Sequence, residues 1–171
     1  QLRLKAGNVE IRFRKENGTP LLIKGAVLEP PFAGVLNAPA DRDELTARSF
    51  LRDKRALLLI DDPDNELAWK LKQTDTFGRR HLRFAQLYQG LPVWPCELSV
   101  HLDPAGNVDL MDGAFVPTPA GVATKPVLTA EEAKQQAQRE LPKSQDQAIT
   151  PPELVIYGPL EGPPRLGWKF D

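Results

Sequence analysis

The side chains able to do chemistry are few: two histidines, one cysteine, three serines and several acidic turns. His81 and His101 each sit in a strand-like pattern, and neither has a second histidine or a carboxylate near it at ligand spacing. A zinc protease needs two histidines one helical turn apart with a glutamate between them, and the sequence has no such helix. Both histidines therefore read as partly exposed strand residues. Ser49, Ser99 and Ser144 lie outside any Gly-x-Ser-x-Gly elbow. Cys96 follows Pro95 and opens a strand, and a catalytic thiol wants a histidine or a helix N-terminus to lower its pKa. His101 is five residues on, ~17 Å along a strand and on its opposite face, so Cys96 reads as a buried structural thiol. Asp61-Asp62-Pro63-Asp64 offers three carboxylates at most, where calcium wants six to eight oxygens, and reads as a solvated turn. Arg79, Arg80 and Arg83 make a basic spot, again a solvated turn or else a surface for an acidic partner. Nothing here turns over a substrate, so the chain is not expected to be an enzyme, and no cofactor is expected in it.

The elements that must position these residues are short. The chain has 171 residues, of which 17 are proline, about twice the usual share. Helix interiors and central strands both reject proline. Net charge is −1, which argues against nucleic acid or an anionic membrane as the general partner, although residues 1–28 carry six Lys/Arg against two acids and 97–171 six against eleven. No apolar run approaches the ~20 residues of a membrane span. The single cysteine excludes an internal disulfide and a cysteine-built metal site.

Val9, Ile11 and Phe13 alternate with charged residues as in a half-buried strand, and Asn17-Gly18 signals the turn that returns the chain through Leu21-Leu22-Ile23. Pro30, Pro31 and Pro39 forbid a long element over 25–40. Asp41 or Asp43 caps a helix expected to run to about residue 58, with Leu45, Ala47, Phe50, Leu51 and Leu58 inside and Arg48, Arg52 and Arg55 outside. Residues 66–116 read as an antiparallel meander with turns at Phe77-Gly78 and Asp103–Asn107. Residues 117–126 read as a linker. Thr129 and Glu132 form a capping box for a helix with Ala133, Ala137 and Leu141 on its apolar stripe, stopped by Pro142. Leu154-Ile156 and Leu166-Trp168-Phe170 mark two last strands.

The stretch from His81 to Phe115 carries a fixed-spacing pattern: His81, Arg83, Phe84, Gln86, Tyr88, Gly90, Pro92 and Val93, then Asp103, Gly106, Val108, Gly113 and Phe115. It resembles the propeptide region of thermolysin-like zinc metalloproteases, the fungalysin/thermolysin propeptide (FTP) module. The Gly18-Thr19-Pro20 turn with Ile23-Lys24-Gly25, and the helix with Phe50-Leu51 followed by Glu66-Leu67, resemble the opening of that module. The capping-box helix and the strands at 153–157 and 166–170 resemble the PepSY unit that follows it. Trp94-Pro95-Cys96 departs from the small or aliphatic run common in relatives, so the strand is expected to start at or after residue 96. The 25–40 stretch is also unusually rich in proline.

The resemblance implies an α+β fold of two small units, each a helix packed on a twisted, cystatin-like antiparallel sheet. Residues 1–116 would be the N-terminal hairpin plus FTP unit, 117–126 a linker, and 127–171 a PepSY-like unit, C-terminally incomplete and continued by further strands in nature. It implies a pro-region of a secreted thermolysin-like metalloendopeptidase, an intramolecular chaperone and inhibitor of the mature enzyme until autocleavage. The alternative is a free-standing FTP/PepSY binding module regulating a protease at the cell envelope. The implied partner is the cognate mature protease domain, holding zinc and calcium of its own. The implied location is secreted or periplasmic, after removal of a signal peptide. Inhibition in the family belongs to the propeptide's C-terminal tail, so a chain ending at Asp171 is expected to inhibit weakly. Arg83, Phe84, Gln86, Tyr88, Gly90, Pro92, Val93, Gly113 and Phe115 are the candidates for folding or for contact with the enzyme.

Overall fold

The structure is a computed structural model describing residues 2–6, 8–34, 41–140 and 151–170. Leu141, Pro142 and Ser144 therefore lie outside the described residues. In chain order the elements are β1 (Leu2–Ala6), β2 (Val9–Phe13), β3 (Pro20–Glu29), α1 (Arg42–Asp53), α2 (Arg55–Leu58), α3 (Pro63–Glu66), β4 (Leu67–Thr74), β5 (Arg80–Tyr88), β6 (Leu91–Leu102), β7 (Val108–Ala114), α4 (Ala130–Glu140), β8 (Glu153–Tyr157) and β9 (Arg165–Lys169).

The strands are hydrogen-bonded in the order β1-β2-β3-β7-β6-β5-β4, all antiparallel. Period two decides which residues turn inward. Leu82 and Phe84 of β5, Leu98, Val100 and Leu102 of β6, and Met111 of β7 are all almost fully buried. Ala47, Phe50, Leu51, Leu58 and Ile60 from the helical segment close the same core. The other face of β5, β6 and β7 carries His81, Arg83, Ser99, His101 and Asp112, matched across the strands by register.

Asp41 caps α1, accepting from the amides of Asp43 at 2.9 Å and Glu44 at 3.3 Å. The helix ends at Asp53 instead of running to residue 58, and α2 makes a further single turn. Leu59 then adopts φ 60° and is exposed, which lets Ile60 turn back into the core. Arg48 departs from its expected outer position: its guanidinium lies 5.5 Å above the Phe84 ring, its stem covering apolar surface while Nε bonds Glu44 at 2.7 Å. Asp62 caps α3 and Asp64 pairs with Arg52 at 2.7 Å, so these acidic side chains serve the helices.

β6 begins at Leu91, not at or after residue 96. A register shift in β5 between Ala85 and Leu87 realigns the ladder so that Pro92 lies opposite Leu87, and Trp94 and Pro95, joined by a cis peptide bond, are exposed while Val93 and Cys96 are buried. A bulged stretch absorbs prolines that a regular ladder rejects. This part of β6 also receives β8 in parallel, Val93 against Ile156 and Trp94 against Tyr157, with β9 antiparallel beyond it. The α+β class holds, and β6 belongs to the ladders on both sides of the 117–126 segment.

The capping box at α4 forms as expected: the Glu132 carboxylate accepts from the Thr129 amide at 2.8 Å, and Thr129 Oγ1 accepts from the Glu132 amide at 3.3 Å. Only Ala133 of this helix is buried. Trp168 Nε1 of β9 donates to Leu128 O at 3.0 Å, holding the helix entry to the sheet. Among the described residues no helix is long and apolar enough to cross a membrane.

Candidate functional site

Most of the nine signature candidates converge on the ends of β5 and β7, where the chain leaves the meander. Phe84 and Phe115 are fully buried. The Phe115 carbonyl accepts from Asn17 Nδ2 at 3.2 Å and Thr19 Oγ1 at 3.3 Å, joining the first hairpin to the end of β7. Gly113 permits a close approach of strands: a Cβ there would stand 2.5 Å from Leu98 Cα and 2.6 Å from Glu97 O. Its carbonyl accepts from the Arg14 guanidinium.

Gln86 is 1% exposed. Its Nε2 donates to Val116 O at 2.8 Å and its Oε1 accepts from Val116 N at 3.2 Å, so a side-chain amide replaces a strand partner. Tyr88 Oη accepts from the Gly121 amide at 3.3 Å, and Thr118 N donates to Leu59 O at 2.9 Å. Thr118 Oγ1 donates to the buried Glu66 carboxylate at 2.7 Å and accepts from the Asp61 amide at 2.8 Å. Residues 116–121 are thus fastened to the meander by Gln86, Tyr88 and Glu66. Glu66 and Thr118 carry no sequence signal of their pairing, since 52 positions separate them.

Gly90 follows Gln89 in a turn where both have positive φ, 49° and 82°, a conformation that favours glycine. Pro92 and Val93 are the second and third residues of β6, with Val93 buried against β8. Arg83 alone among the nine presents a charged end to solvent, its side chain 49% exposed and 3.9 Å from Glu97.

The remaining basic side chains of the expected spot are paired. Arg79 makes a two-pronged bond to Asp109 at 2.8 and 2.6 Å, and Arg80 donates to Asp103 O at 2.9 Å. Ser49 Oγ donates to Glu29 at 2.7 Å. Cys96 is buried, its Sγ 3.4 Å from Gly158 O, and burial pushes the thiol up to about 11. Such a thiol is inert at neutral pH. His81 and His101, unrelated in the sequence pattern, are brought directly opposite each other across β5 and β6. The signal was available in the register of two strands joined by a short turn, but the turn length and the bulge had to be known first. Among the described residues, no three His, Cys, Asp or Glu side chains gather so as to hold a metal ion. The arrangement builds a firm surface and a fastened chain exit.

Residues 69–115 match the Fungalysin/Thermolysin Propeptide Motif, spanning nearly all of the meander from β4 to the end of β7. Bacillolysin of Bacillus subtilis (strain 168) is 31% identical over 99 residues, 58% of this chain and 18% of that protein. Thermolysin of Bacillus caldolyticus is 29% identical over 165 residues, 90% of this chain and 28% of that protein. The chain thus spans less than a third of the length of the curated relatives it matches. Among solved structures, the Bacillus megaterium YpeB C-terminal domain aligns over 95% of this chain and 65% of its own, with a TM-score of 0.45 and 15% identity. The chain carries an FTP motif, and its resemblance to a propeptide of thermolysin-like proteases rests on that motif together with the bacillolysin and thermolysin matches.

Proposed function

We propose that this chain is the pro-region of a secreted or periplasmic thermolysin-like metalloendopeptidase, assisting its folding and restraining it until autocleavage. The observation that carries the reading is the coincidence of the FTP motif with the β4–β7 meander. On this reading the chain itself has no catalytic role, and zinc and calcium belong to the mature partner. Residues 1–116 act as the FTP unit, 117–126 as the connection and 127–171 as a PepSY-like unit. Of the nine candidates, Arg83 serves contact with the enzyme and the other eight serve the fold, because only Arg83 offers a charged end to solvent.

The physical basis is mass action. A partner that binds only the folded enzyme stabilises it by RT ln(1 + [L]/Kd), about 4 kcal/mol at a thousandfold excess over Kd. The test is to unfold mature bacillolysin and refold it with and without this chain. Recovered endopeptidase activity is expected to rise with added chain in a saturable manner. Equal recovery with and without it, together with no measurable binding to the native enzyme, overturns the reading.

A further inference from the structure

His81 and His101 lie directly opposite each other on β5 and β6. Their Nδ1 atoms are 2.6 Å apart and their rings meet edge to face, with centroids 4.9 Å apart. The outer nitrogen of each ring faces a carboxylate: His81 Nε2 is 3.3 Å from Asp75 Oδ2, and His101 Nε2 is 3.5 Å from Asp112 Oδ1. The row Asp75–His81–His101–Asp112 therefore crosses from the β4–β5 turn to β7.

A nitrogen–nitrogen contact of this length needs one N–H and one bare lone pair. The pair thus holds a single proton between the two Nδ1 atoms. A second proton there would set N–H against N–H and imidazolium against imidazolium. Arg79 also acts against a charged His101. Arg79 is bonded to Asp109, and Lys24 of β3 lies opposite Leu110, which itself lies opposite His101. Arg83, two residues along β5, leans toward Glu97. Asp75 and Asp112 favour charged rings, but the Asp112 side chain is 48% exposed and its field is screened by water. His101, at 14%, is largely withdrawn from solvent. Burial first, opposed by Asp112 and reinforced by His81, holds His101 below the ordinary histidine range.

We propose that the His81–His101 pair is a proton-operated latch that bonds β5 to β6 at neutral pH and opens when mild acid charges both rings, so that each Nδ1 carries a proton. The sign follows from linkage. His101, held below the ordinary histidine range in the folded state, takes up its proton more readily once unfolded, so the stability it contributes is full above the ordinary histidine pKa and falls as pH drops below it. The latch concerns the chain's own stability and stands whether or not the pro-region reading does.

Two measurements test it. Thermal unfolding midpoints of the chain and of the double variant His81→Gln, His101→Gln are compared between about pH 8 and about pH 5; glutamines can keep a cross-strand bond but cannot titrate. The acid-induced drop in Tm is expected to shrink by roughly half or more in the variant. An unchanged drop overturns the proposal. Imidazole nitrogen NMR of the unsubstituted chain does not depend on the variant folding. It is expected to show one hydrogen-bonded Nδ1–H shared by the two rings at neutral pH and its loss in mild acid; the absence of that shared proton at neutral pH, or its persistence at about pH 5, overturns it.

Discussion

Gln86 holds both backbone groups of Val116, donating to its carbonyl at 2.8 Å and accepting from its amide at 3.2 Å, inside the core. Among the described residues no strand pairs with Val116, so a side chain closes the ladder where β7 has ended. Gln86→Leu keeps the volume and leaves two buried polar groups without partners. Each such group costs about 1–3 kcal/mol, and urea unfolding is expected to show a loss of about 3 kcal/mol. Arg83→Ala, on the open face, is expected to stay within about 0.5 kcal/mol in the same assay. Equal effects from the two substitutions would remove the distinction drawn between core and contact candidates.

Two signature glycines separate for a different reason. At Gly113 a methyl group would meet the backbone of Leu98 and Glu97 at 2.5 and 2.6 Å. Neither neighbour can move without parting β6 from β7, so Gly113→Ala is expected to cost about 3 kcal/mol. At Gly90 nothing lies within 4 Å of the added carbon. Gly90→Ala meets only the strain of φ +82°, about 1 kcal/mol. Paired denaturation curves of the two variants check the ranking.

Cys96 supplies a pH dependence at the alkaline end. Burial raises its thiol pKa to about 11, partly offset by the Val116 amide and the charge of Arg14. An acid whose folded pKa is raised is more readily ionised once unfolded, so stability is complete at neutral pH and falls as pH rises through the ordinary thiol range. Cys96→Ala is expected to flatten the stability profile above about pH 9. A disulfide-exchange reagent is expected to modify Cys96 in urea far faster than in the folded chain; equal rates would contradict its burial.

Local signals in the sequence translated well. The Asn17-Gly18 turn, the Asp41 cap, the Thr129–Glu132 capping box and the alternation of Leu82, Phe84 and Gln86 each concern neighbours within a few residues, where dihedral preference and periodicity decide. The start of β6 is not legible locally, because proline reads there only as a missing donor. The bulge that accommodates Pro92 and Pro95 depends on β5 and β8 lying on either side. The break between α1 and α2 is hidden in the sequence because Lys54 and Arg55 continue the amphipathic pattern while the backbone turns.

By itself the sequence determined the meander, its buried face and the FTP pattern laid over it, because period-two burial and turn chemistry are written in adjacent residues. Tertiary structure alone decided that Gln86 meets Val116, that Glu66 meets Thr118, that β8 joins β6 in parallel, and that His81 touches His101. These contacts depend on strand register and on chain segments 20 to 63 residues apart. A single-residue slip would turn each side chain to the opposite face, and only the packed core selects one register.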